Sequence, residues 1–441
     1  MRASRALGRA LGLTAAPGRV RATVLAHLPR TRRVRRVGCR GFVSTMNAAT
    51  HHHSPTHSPT QTKVLVLAGP TAAGKSSLAI ALARAMNGEI VSCDSVQVYE
   101  ALDVGSGKVT KRERLEARHH MLDIAATPNA RDGTLREYAA GEYYDDAMAC
   151  LDDIRARGKV PIVVGGSGMY LRFLTNGKPS APASTVEGKR AAMEAIETAR
   201  KRGGWSAACD ALRDAGDAVT PERLSENDWY RLTRAYEIVV ASGGRDVNTF
   251  ASAHASEGNA SSYDFRCFFM CVPRVELYRR IDARVEDMVC DGMLDEAAML
   301  LDNGVEVDSC TAARAIGYRQ SMEYLSRARR GDIDVDVDSL LAFVDETQQV
   351  TRAYAKRQYT WFRGEPEGRY LWLDASKDRE ELSHVVMDAF ASDVHQGGGE
   401  DMSVLSKEAL NEIKRYKARL VRLQSASEQN KLLDRIRNKM L

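Results

Sequence analysis

The sequence lacks any long apolar run, since none approaches the roughly 18 residues that a membrane-spanning helix needs. Its eight cysteines include no pair separated by two residues, which excludes a zinc ribbon and a disulfide-stapled scaffold. Only His384 and His395 follow Cys310, so the last third of the chain cannot form a Cys₂His₂ zinc finger. The composition of the 441 residues, 44% hydrophobic and 27% charged, predicts two or three globular domains and no membrane partner.

Acidic residues and lysine are absent from residues 1–60, which contain eleven arginines. This composition is typical of an organellar transit peptide, and Arg40 is the third residue before a predicted cleavage after Phe42. We therefore predict that residues 1–60 are a transit peptide and low-complexity linker for mitochondrial import, with the plastid as the alternative destination. Initiation at Met46 would give a cytosolic form. A nucleic-acid-binding arm is the alternative interpretation of the arginines.

Because residues 1–60 contain arginines but no acidic residues, the formal net charge of +5 for the whole chain does not describe the charge of the remaining residues. Residues 61–400 carry a net charge of −11, whereas residues 401–441 carry +5. A polyanionic partner would therefore contact local basic patches on an acidic body.

Short apolar runs that end at glycine or small polar residues alternate with helix-forming stretches in residues 61–182. This alternation predicts an α/β fold with a parallel sheet flanked by helices. The predicted strands are residues 63–68, 89–93 and 159–164, and the predicted helices are residues 74–86 and 134–157.

Residues 183–262 are charged and helical in pattern and end in a loop rich in glycine, serine and asparagine, which predicts a helical insertion. Residues 263–396 return to the α/β pattern as the second part of the core. Cys267 and Cys271 lie in its first apolar run and are predicted to be buried thiols. The elements predicted there are strands at 265–271 and 370–373 and helices at 274–303, 310–325 and 336–359.

The strongest local pattern, Gly-x₄-Gly-Lys-Ser, follows the first predicted strand and opens a helix, as a phosphate-binding loop does. Glycines allow backbone N–H groups to surround phosphate oxygens, and the helix N-terminus adds partial positive charge. Lys75 supplies a cation, and the Ser76 hydroxyl is suited to Mg²⁺, the cofactor that we predict. The predicted diphosphate-binding residues are Gly69, Pro70, Thr71, Ala72, Ala73, Gly74, Lys75 and Ser76.

Asp94 follows the second predicted strand, whose end we expect beside the phosphate loop. Its carboxylate could hold Mg²⁺ through water, act as a base or cap its own loop. The third predicted strand ends at Gly165 and Gly166 with no acidic residue, so no Walker B strand is evident. This argues against an ordinary nucleotide hydrolase, although the loop alone would favour one.

Eight motifs occur in the order found in tRNA dimethylallyltransferases (tRNA isopentenyltransferases), and the chain resembles this family over residues 63–375. Departures are small: Ser106 and Ser167 replace threonines, and Gly107 stands where bacterial members tend to have alanine. The resemblance implies a P-loop-type sheet with an inserted helical tRNA-binding domain. The motifs cover residues 69–76, 94–99, 102–108, 120–123, 164–170, 280–284, 317–320 and 355–363.

The resemblance also implies an activity: transfer of a dimethylallyl group from dimethylallyl diphosphate to N6 of adenosine 37, next to the anticodon in tRNA. By resemblance, Asp94 is the general base, Thr71 lies near the allyl diphosphate and Arg284 contacts the diphosphate. From the residues alone, Arg284 would be a surface arginine paired with Glu286 or Asp287, and the tRNA-contacting arginines would be solvated charges. The residues implied to contact tRNA are Asp94, Ser95, Val96, Gln97, Ser167, Arg231, Arg234, Arg314, Gly317, Tyr318 and Arg319.

Three other functions stay open at this point: an adenylate isopentenyltransferase, a nucleotide kinase and a non-catalytic RNA-binding protein. Residues 317–320 and 355–363 favour the tRNA-acting branch, and Lys356, Arg357 and Arg363 form a predicted phosphate-binding cluster beside Trp361. A monomer is expected.

Residues 397–441 are predicted to be a glycine linker followed by one basic amphipathic helix. Its apolar stripe consists of Ile413, Tyr416, Leu420 and Leu423. We expect this helix to lie along the tRNA or on the protein body.

Overall fold

A computed structural model describes most of the chain from residue 61 onward. The predicted transit peptide and linker, residues 1–60, lie outside the described residues, as does most of the loop that ends the predicted insertion. The described residues are 61–132, 135, 137–250, 263–366, 368–393, 397–398 and 406–439.

Six parallel strands form one sheet in this part of the chain, in the spatial order β3-β2-β4-β1-β5-β6. Buried apolar residues on both faces of the central strands explain why they pair in parallel and carry helices on both sides. The strands are β1 (Thr62–Ala68), β2 (Gly88–Cys93), β3 (His119–His120), β4 (Val160–Gly165), β5 (Tyr263–Cys271) and β6 (Tyr370–Asp374).

The helices surround this sheet and also build the segment between β4 and β5. They are α1 (Lys75–Ala85), α2 (Lys111–Glu116), α3 (Ala140–Ala156), α4 (Gly168–Asn176), α5 (Val186–Ala215), α6 (Thr220–Arg223), α7 (Trp229–Ala241), α8 (Arg274–Met288), α9 (Leu294–Asp302), α10 (Thr311–Arg314), α11 (Tyr318–Arg329), α12 (Val337–Arg363), α13 (Arg379–Ala391), α14 (Lys407–Arg415) and α15 (Ala426–Lys439). A π-helical turn, Val289–Met293, joins α8 to α9. None of the helices in the described residues is long and apolar enough to cross a membrane.

The α/β prediction is confirmed, and the order of the strands in the sheet differs from their order along the chain. Strand β4 lies between β1 and β2, with Val163 opposite Val66 on one side and Val91 on the other. Consecutive parallel strands need not be neighbours, because a helical crossover can skip a position in the sheet. The residues of β4 are buried from Pro161 to Gly165, as a central strand requires.

Two hydrophobic cores are present in the described residues. The large core surrounds the sheet, and Cys267 and Cys271 are buried there, as predicted. A separate small core lies between α5 and α7, where Leu212 packs with Leu232. The rings of Trp205 and Trp229 meet edge-on there, with centroids 5.0 Å apart.

Helix α3 begins at Ala140, whereas the sequence predicted a start at residue 134. Residue 134 itself lies outside the described residues. Residues Glu137 to Ala139 are not helical, and Ala139 has an extended backbone. The Glu142 side chain accepts a hydrogen bond from the Ala139 N–H at 2.9 Å, which caps the helix at this point.

The prediction of a single amphipathic helix in the tail is wrong. Helix α14 ends at Arg415, α15 begins at Ala426, and the residues between them are irregular. The N–H groups of Val421 and Leu423 donate to the Glu286 carboxylate of α8 instead of continuing a helix.

The predicted glycine linker also has a structural role where it is described. Gly398 pairs with the edge of β6, because its N–H donates to Tyr370 O at 3.0 Å and its carbonyl accepts from Trp372 N at 2.8 Å. This glycine therefore pairs with backbone groups of β6 at the edge of the sheet.

Candidate active site

A cavity of about 1150 Å³ opens at the carboxyl ends of β1, β2 and β4, where open parallel sheets bind their ligands. The phosphate loop forms one wall, and the turn after β2 and the loop at residues 103–111 form another. Helices α8 and α12 complete the cavity with Arg284, Tyr354, Arg357 and Gln358. The structure thus brings the predicted phosphate-binding residues from Thr71 to Ser76 and Asp94 into one cavity, whereas Gly69 and Pro70 do not line it.

The phosphate loop has the backbone conformation that its glycines predict. Gly74, which precedes α1, has a φ of 90°, and Gly69 has a φ of 156°. A Cβ at residue 69 would lie 3.1 Å from both Cβ and the carbonyl oxygen of Met270 in β5. Glycine is therefore needed at residue 69 for both its conformation and its contact with β5.

Lys75 lies over its own loop, where its ammonium donates to Gly69 O at 3.0 Å and to Pro70 O at 2.7 Å. Burial, together with the nearby positive charge of Arg284, lowers the pKa of Lys75 to about 7, although Asp94 opposes this effect. A bound phosphate would supply the negative charge that this lysine lacks among its direct partners.

Asp94 uses its two carboxylate oxygens differently. Oδ1 accepts hydrogen bonds from Val96 N at 2.9 Å and Gln97 N at 3.3 Å, so it caps the turn after β2. Oδ2 has no hydrogen-bond partner among the described residues. Asp94 is half-buried and lines the cavity. The same residue therefore fixes the turn with one oxygen and leaves the other available to a substrate.

Glycines at the end of β4 allow Asp94 to approach the phosphate loop although β4 separates β2 from β1. A Cβ at Gly165 would lie 2.0 Å from Cys93 O, and a Cβ at Gly166 would lie 3.1 Å from Gly69 O. The absence of side chains at these positions brings the ends of the three strands close together.

Arg284 projects from α8 into the cavity and has few protein partners. Its Nη2 donates to Gly107 O at 3.4 Å, a long hydrogen bond, and burial lowers its pKa. The surface interpretation of this arginine is wrong, because Glu286 accepts from the tail and Asp287 pairs with Arg422 at 3.4 Å. Arg284 is therefore free to contact an anionic ligand.

Gln358 connects three walls of the cavity, a role that sequence reasoning missed although the residue lies in the motif at 355–363. Its Oε1 accepts from Thr71 N at 3.0 Å, and its Nε2 donates to Gly166 O at 3.1 Å. The side chain is buried on α12, so it fixes Thr71 relative to the end of β4.

Glu296 anchors the loop opposite the phosphate loop, and no pattern in a single sequence indicated this role. Its carboxylate accepts from the N–H groups of Asp103, Val104 and Gly105 at 2.8, 2.7 and 2.9 Å. It also accepts from the hydroxyl of Tyr318 at 2.6 Å. Tyr318 is fully buried in the wall of the cavity, so in this conformation it is not exposed to the predicted tRNA partner.

Several of the other predicted tRNA-contacting residues also line the cavity. They are Ser95, Val96, Gln97, Ser167, Arg314 and Gly317. Gln97 is held firmly, since it accepts from the Ser92 hydroxyl at 2.9 Å and donates to Ser106 O at 3.2 Å.

The predicted tRNA-contacting arginines are paired with acidic residues of the protein. Arg314 pairs with Glu137, and Arg319 pairs with both Asp308 at 3.3 Å and Glu323 at 3.1 Å. These partners hold the guanidinium groups beside the start of α11 and do not remove their positive charge.

Arg231 and Arg234 lie on α7, away from the lining of the cavity. Arg231 is exposed and pairs with Asp228 at 3.3 Å, whereas Arg234 pairs with buried Glu237 at 2.6 Å and donates to Pro182 O at 2.8 Å. The two arginines therefore differ in their availability to a partner.

The Ser76 hydroxyl suits Mg²⁺ bound with a diphosphate. No cluster of three or more metal-ligating side chains occurs in the described part of the chain. Mg²⁺ in phosphate sites is held by one or two protein oxygens and the phosphates themselves, so the exposed Ser76 hydroxyl fits this ion and Asp94 Oδ2 stays available to the acceptor.

The parallel sheet, with a glycine-rich loop before α1 and a charged cavity at its carboxyl edge, places the protein in the α/β class whose open sheets bind ligands at this edge. The sequence model of the IPP transferase family matches residues 97–365. The chain belongs to this family, which confirms the resemblance inferred from the motifs.

Individual relatives agree with this assignment. The chain is 41% identical over 358 residues to tRNA dimethylallyltransferase 9 of Arabidopsis thaliana, covering 75% of each chain. It is 38% identical over 314 residues to the tRNA dimethylallyltransferase of Protochlamydia amoebophila, covering 71% of this chain and 84% of the relative. The crystal structure of the tRNA isopentenylpyrophosphate transferase of Bacillus halodurans matches with a TM-score of 0.50 at 28% identity, covering 74% and 96%.

Proposed function

We propose that this protein transfers a dimethylallyl group from dimethylallyl diphosphate to N6 of adenosine 37 in tRNA. The observation that carries the proposal is a cavity in which the phosphate loop faces Asp94, whose Oδ2 has no hydrogen-bond partner in the part of the chain that the structure describes. The similarity to the Arabidopsis and Protochlamydia relatives, both named tRNA dimethylallyltransferases, supports the choice of substrate.

The leaving group is diphosphate, whose negative charge must be stabilised while the bond between its oxygen and the allylic carbon breaks. Lys75 and Arg284 supply positive charge at the cavity, and the N–H groups at the start of α1 supply hydrogen bonds. Mg²⁺ held by Ser76 and the diphosphate itself would add charge neutralisation there.

The acceptor is the exocyclic amine of adenine, which is a poor nucleophile. As the new bond forms between N6 and the allylic carbon, the amine becomes acidic, and Asp94 Oδ2 takes its proton. The adenosine must leave the stacked anticodon loop to reach this oxygen, as base-modifying enzymes require. Gln358 and Glu296 keep the walls of the cavity fixed during the reaction, which favours an in-line approach of donor and acceptor.

A product analysis separates this function from the two alternatives that share the loop. The purified protein is incubated with Mg²⁺, labelled dimethylallyl diphosphate and either tRNA, the same tRNA with guanosine at position 37, or AMP. We expect one labelled nucleoside, N6-dimethylallyl adenosine, from the first tRNA only, identified by mass spectrometry. Label on AMP would indicate an adenylate isopentenyltransferase, and phosphate transfer from ATP without prenylation would indicate a nucleotide kinase.

We also propose that residues 1–60 direct the protein to mitochondria and that it acts as a monomer. Fusion of these residues to a fluorescent protein should give a mitochondrial signal with cleavage near Phe42. A diffuse signal from an uncut fusion would instead favour the nucleic-acid-binding arm. Light scattering of the purified protein tests the oligomeric state.

A further inference from the structure

Helix α8 contacts different parts of the protein on its two sides. Arg284 faces the cavity, whereas Asp282 and Glu286, two residues before and after it, lie on the opposite side because successive helical residues are about 100° apart. Asp282 is 2% exposed and Glu286 is 0% exposed. Carboxylates buried to this extent need hydrogen-bond donors.

The donors to Glu286 come from the tail. Val421 N lies 2.9 Å from one carboxylate oxygen, and Leu423 N lies 3.0 Å from the same oxygen. No other hydrogen-bond partner of this carboxylate occurs in the described ranges. Arg422, between the two donors, pairs with Asp291 at 2.7 Å, just beyond the end of α8.

Asp282 is shared between the tail and α12. The hydroxyl of Tyr416 donates to its Oδ2 at 2.6 Å, and Arg352 of α12 pairs with its Oδ1. The ring of Tyr416 also meets Tyr278 of α8 edge-on, with centroids 5.5 Å apart. The tail thus contacts α8 both before and after Arg284 along the helix axis.

The tail continues along the π-helical turn after α8. Arg435 pairs with Asp295 at 2.5 Å and donates to Cys290 O at 3.2 Å within that turn. Leu423, Leu433 and Ile436 are buried in the large core and anchor the segment. The match to the family model ends at residue 365, before this segment begins.

We propose that residues 416–436, which we call the strap, position Arg284 for the diphosphate. The strap supplies hydrogen-bond donors to Asp282 and Glu286, the two buried acids on the face of α8 opposite Arg284. These bonds fix the rotation of α8 about its axis and its position along that axis relative to the cavity. Its Arg422 and Arg435 are already paired with protein acids, so this segment acts on the donor side of the reaction rather than by binding tRNA. The proposal rests on the proposed function only in taking a diphosphate as the ligand of Arg284.

The test measures binding of inorganic pyrophosphate with Mg²⁺ to the full chain by calorimetry. The double substitution Tyr416→Phe with Leu423→Ala loosens the strap, and we expect about tenfold weaker binding. The matched control changes Lys417→Ser and Arg419→Ser, two exposed basic residues of the same segment, and should leave pyrophosphate affinity unchanged. The double substitution should also have no further effect in an Arg284→Ala background, because the group that the strap positions is gone.

Two results would overturn the proposal. One is unchanged pyrophosphate affinity in the loosened strap, and the other is an equal loss of affinity in the presence and absence of Arg284. Should the double variant fail to fold, Tyr416→Phe alone should weaken binding about threefold by loss of one hydrogen bond to a buried charge. Pyrophosphate binding needs no tRNA, so the two proposals can fail separately. If the strap substitutions weaken pyrophosphate binding but the wild-type protein transfers no prenyl group to tRNA, only the proposed function is refuted.

Discussion

The charged groups of the cavity and the arginines predicted to contact tRNA differ in how the protein uses them. Asp94 Oδ2 has no hydrogen-bond partner among the described residues, and Arg284 makes one long contact of 3.4 Å. Arg234, Arg314 and Arg319, in contrast, are paired with acidic side chains.

This difference indicates which groups are reserved for a substrate. A charge held near a cavity without a full set of partners is stabilised further when a ligand supplies them, and such groups concentrate at functional sites. A charge that already has protein partners contributes mainly to structure, or to long-range attraction of a polyanion. Substitutions should therefore separate catalysis, ligand affinity and stability.

The largest effect is expected for Asp94→Asn. An amide cannot take the proton from N6, so kcat should fall by roughly 10²–10⁴ while the affinities for tRNA and pyrophosphate stay near normal. Steady-state kinetics with separate binding measurements check this result. A variant that keeps more than a tenth of the wild-type kcat would exclude Asp94 as the base.

A smaller effect is expected for Arg284→Ala. Loss of a charged hydrogen-bond donor should raise the KM for dimethylallyl diphosphate about 10- to 100-fold. Arg280→Ala is the matched control, since this residue lies one turn earlier on α8 and pairs with Glu276 at 3.0 Å. Equal effects of the two substitutions would show that the place of Arg284 in the cavity does not distinguish it from the arginine one turn earlier.

Arg234→Ala and Arg231→Ala should separate the two arginines of α7. Loss of Arg234 leaves buried Glu237 without its ion pair, so the free energy of unfolding should fall by about 1–3 kcal/mol. Loss of exposed Arg231 should leave stability within about 0.5 kcal/mol and reduce the salt dependence of tRNA binding by about one unit. Denaturant titrations and binding at several salt concentrations test the pair. The reverse pattern would show that pairing within the protein does not predict function.

The last prediction concerns how the free energy of unfolding depends on pH through Lys75. Burial lowers the pKa of Lys75 from 10.5 to about 7 in the ligand-free protein, so the unfolded chain binds more protons between these values. The free energy of unfolding should therefore rise with pH from about 7 upward through this residue, and saturating pyrophosphate should reduce the rise. Denaturant titrations at pH 7 and 9 on the wild type and Lys75→Met measure this contribution. A rise of equal size in Lys75→Met would assign it to other groups.

The sequence predicted the elements that depend on local pattern. Apolar runs identified β1, β2, β4, β5 and β6, and the glycine spacing identified the phosphate loop. The motifs pointed to Asp94 and Arg284, both of which line the cavity.

The relations that depend on contacts between distant residues were not predictable. The position of β4 between β1 and β2 follows from the crossover path, which no local pattern encodes. The break between α14 and α15 arises because Glu286, more than 130 residues earlier, accepts backbone N–H groups that a helix would otherwise use. Gln358 and Glu296 have ordinary helical surroundings in the sequence, and only the folded chain brings loop N–H groups to them.

A single-turnover reaction tests the central claim, that one cavity couples diphosphate departure to prenylation of a tRNA adenosine. Enzyme in excess is mixed with labelled dimethylallyl diphosphate and tRNA, and both products are counted over time. We expect diphosphate and N6-dimethylallyl adenosine at position 37 to appear at the same rate and in equal amounts, and neither to appear with Asp94→Asn on the same timescale. Diphosphate released at the same rate without tRNA would contradict the account.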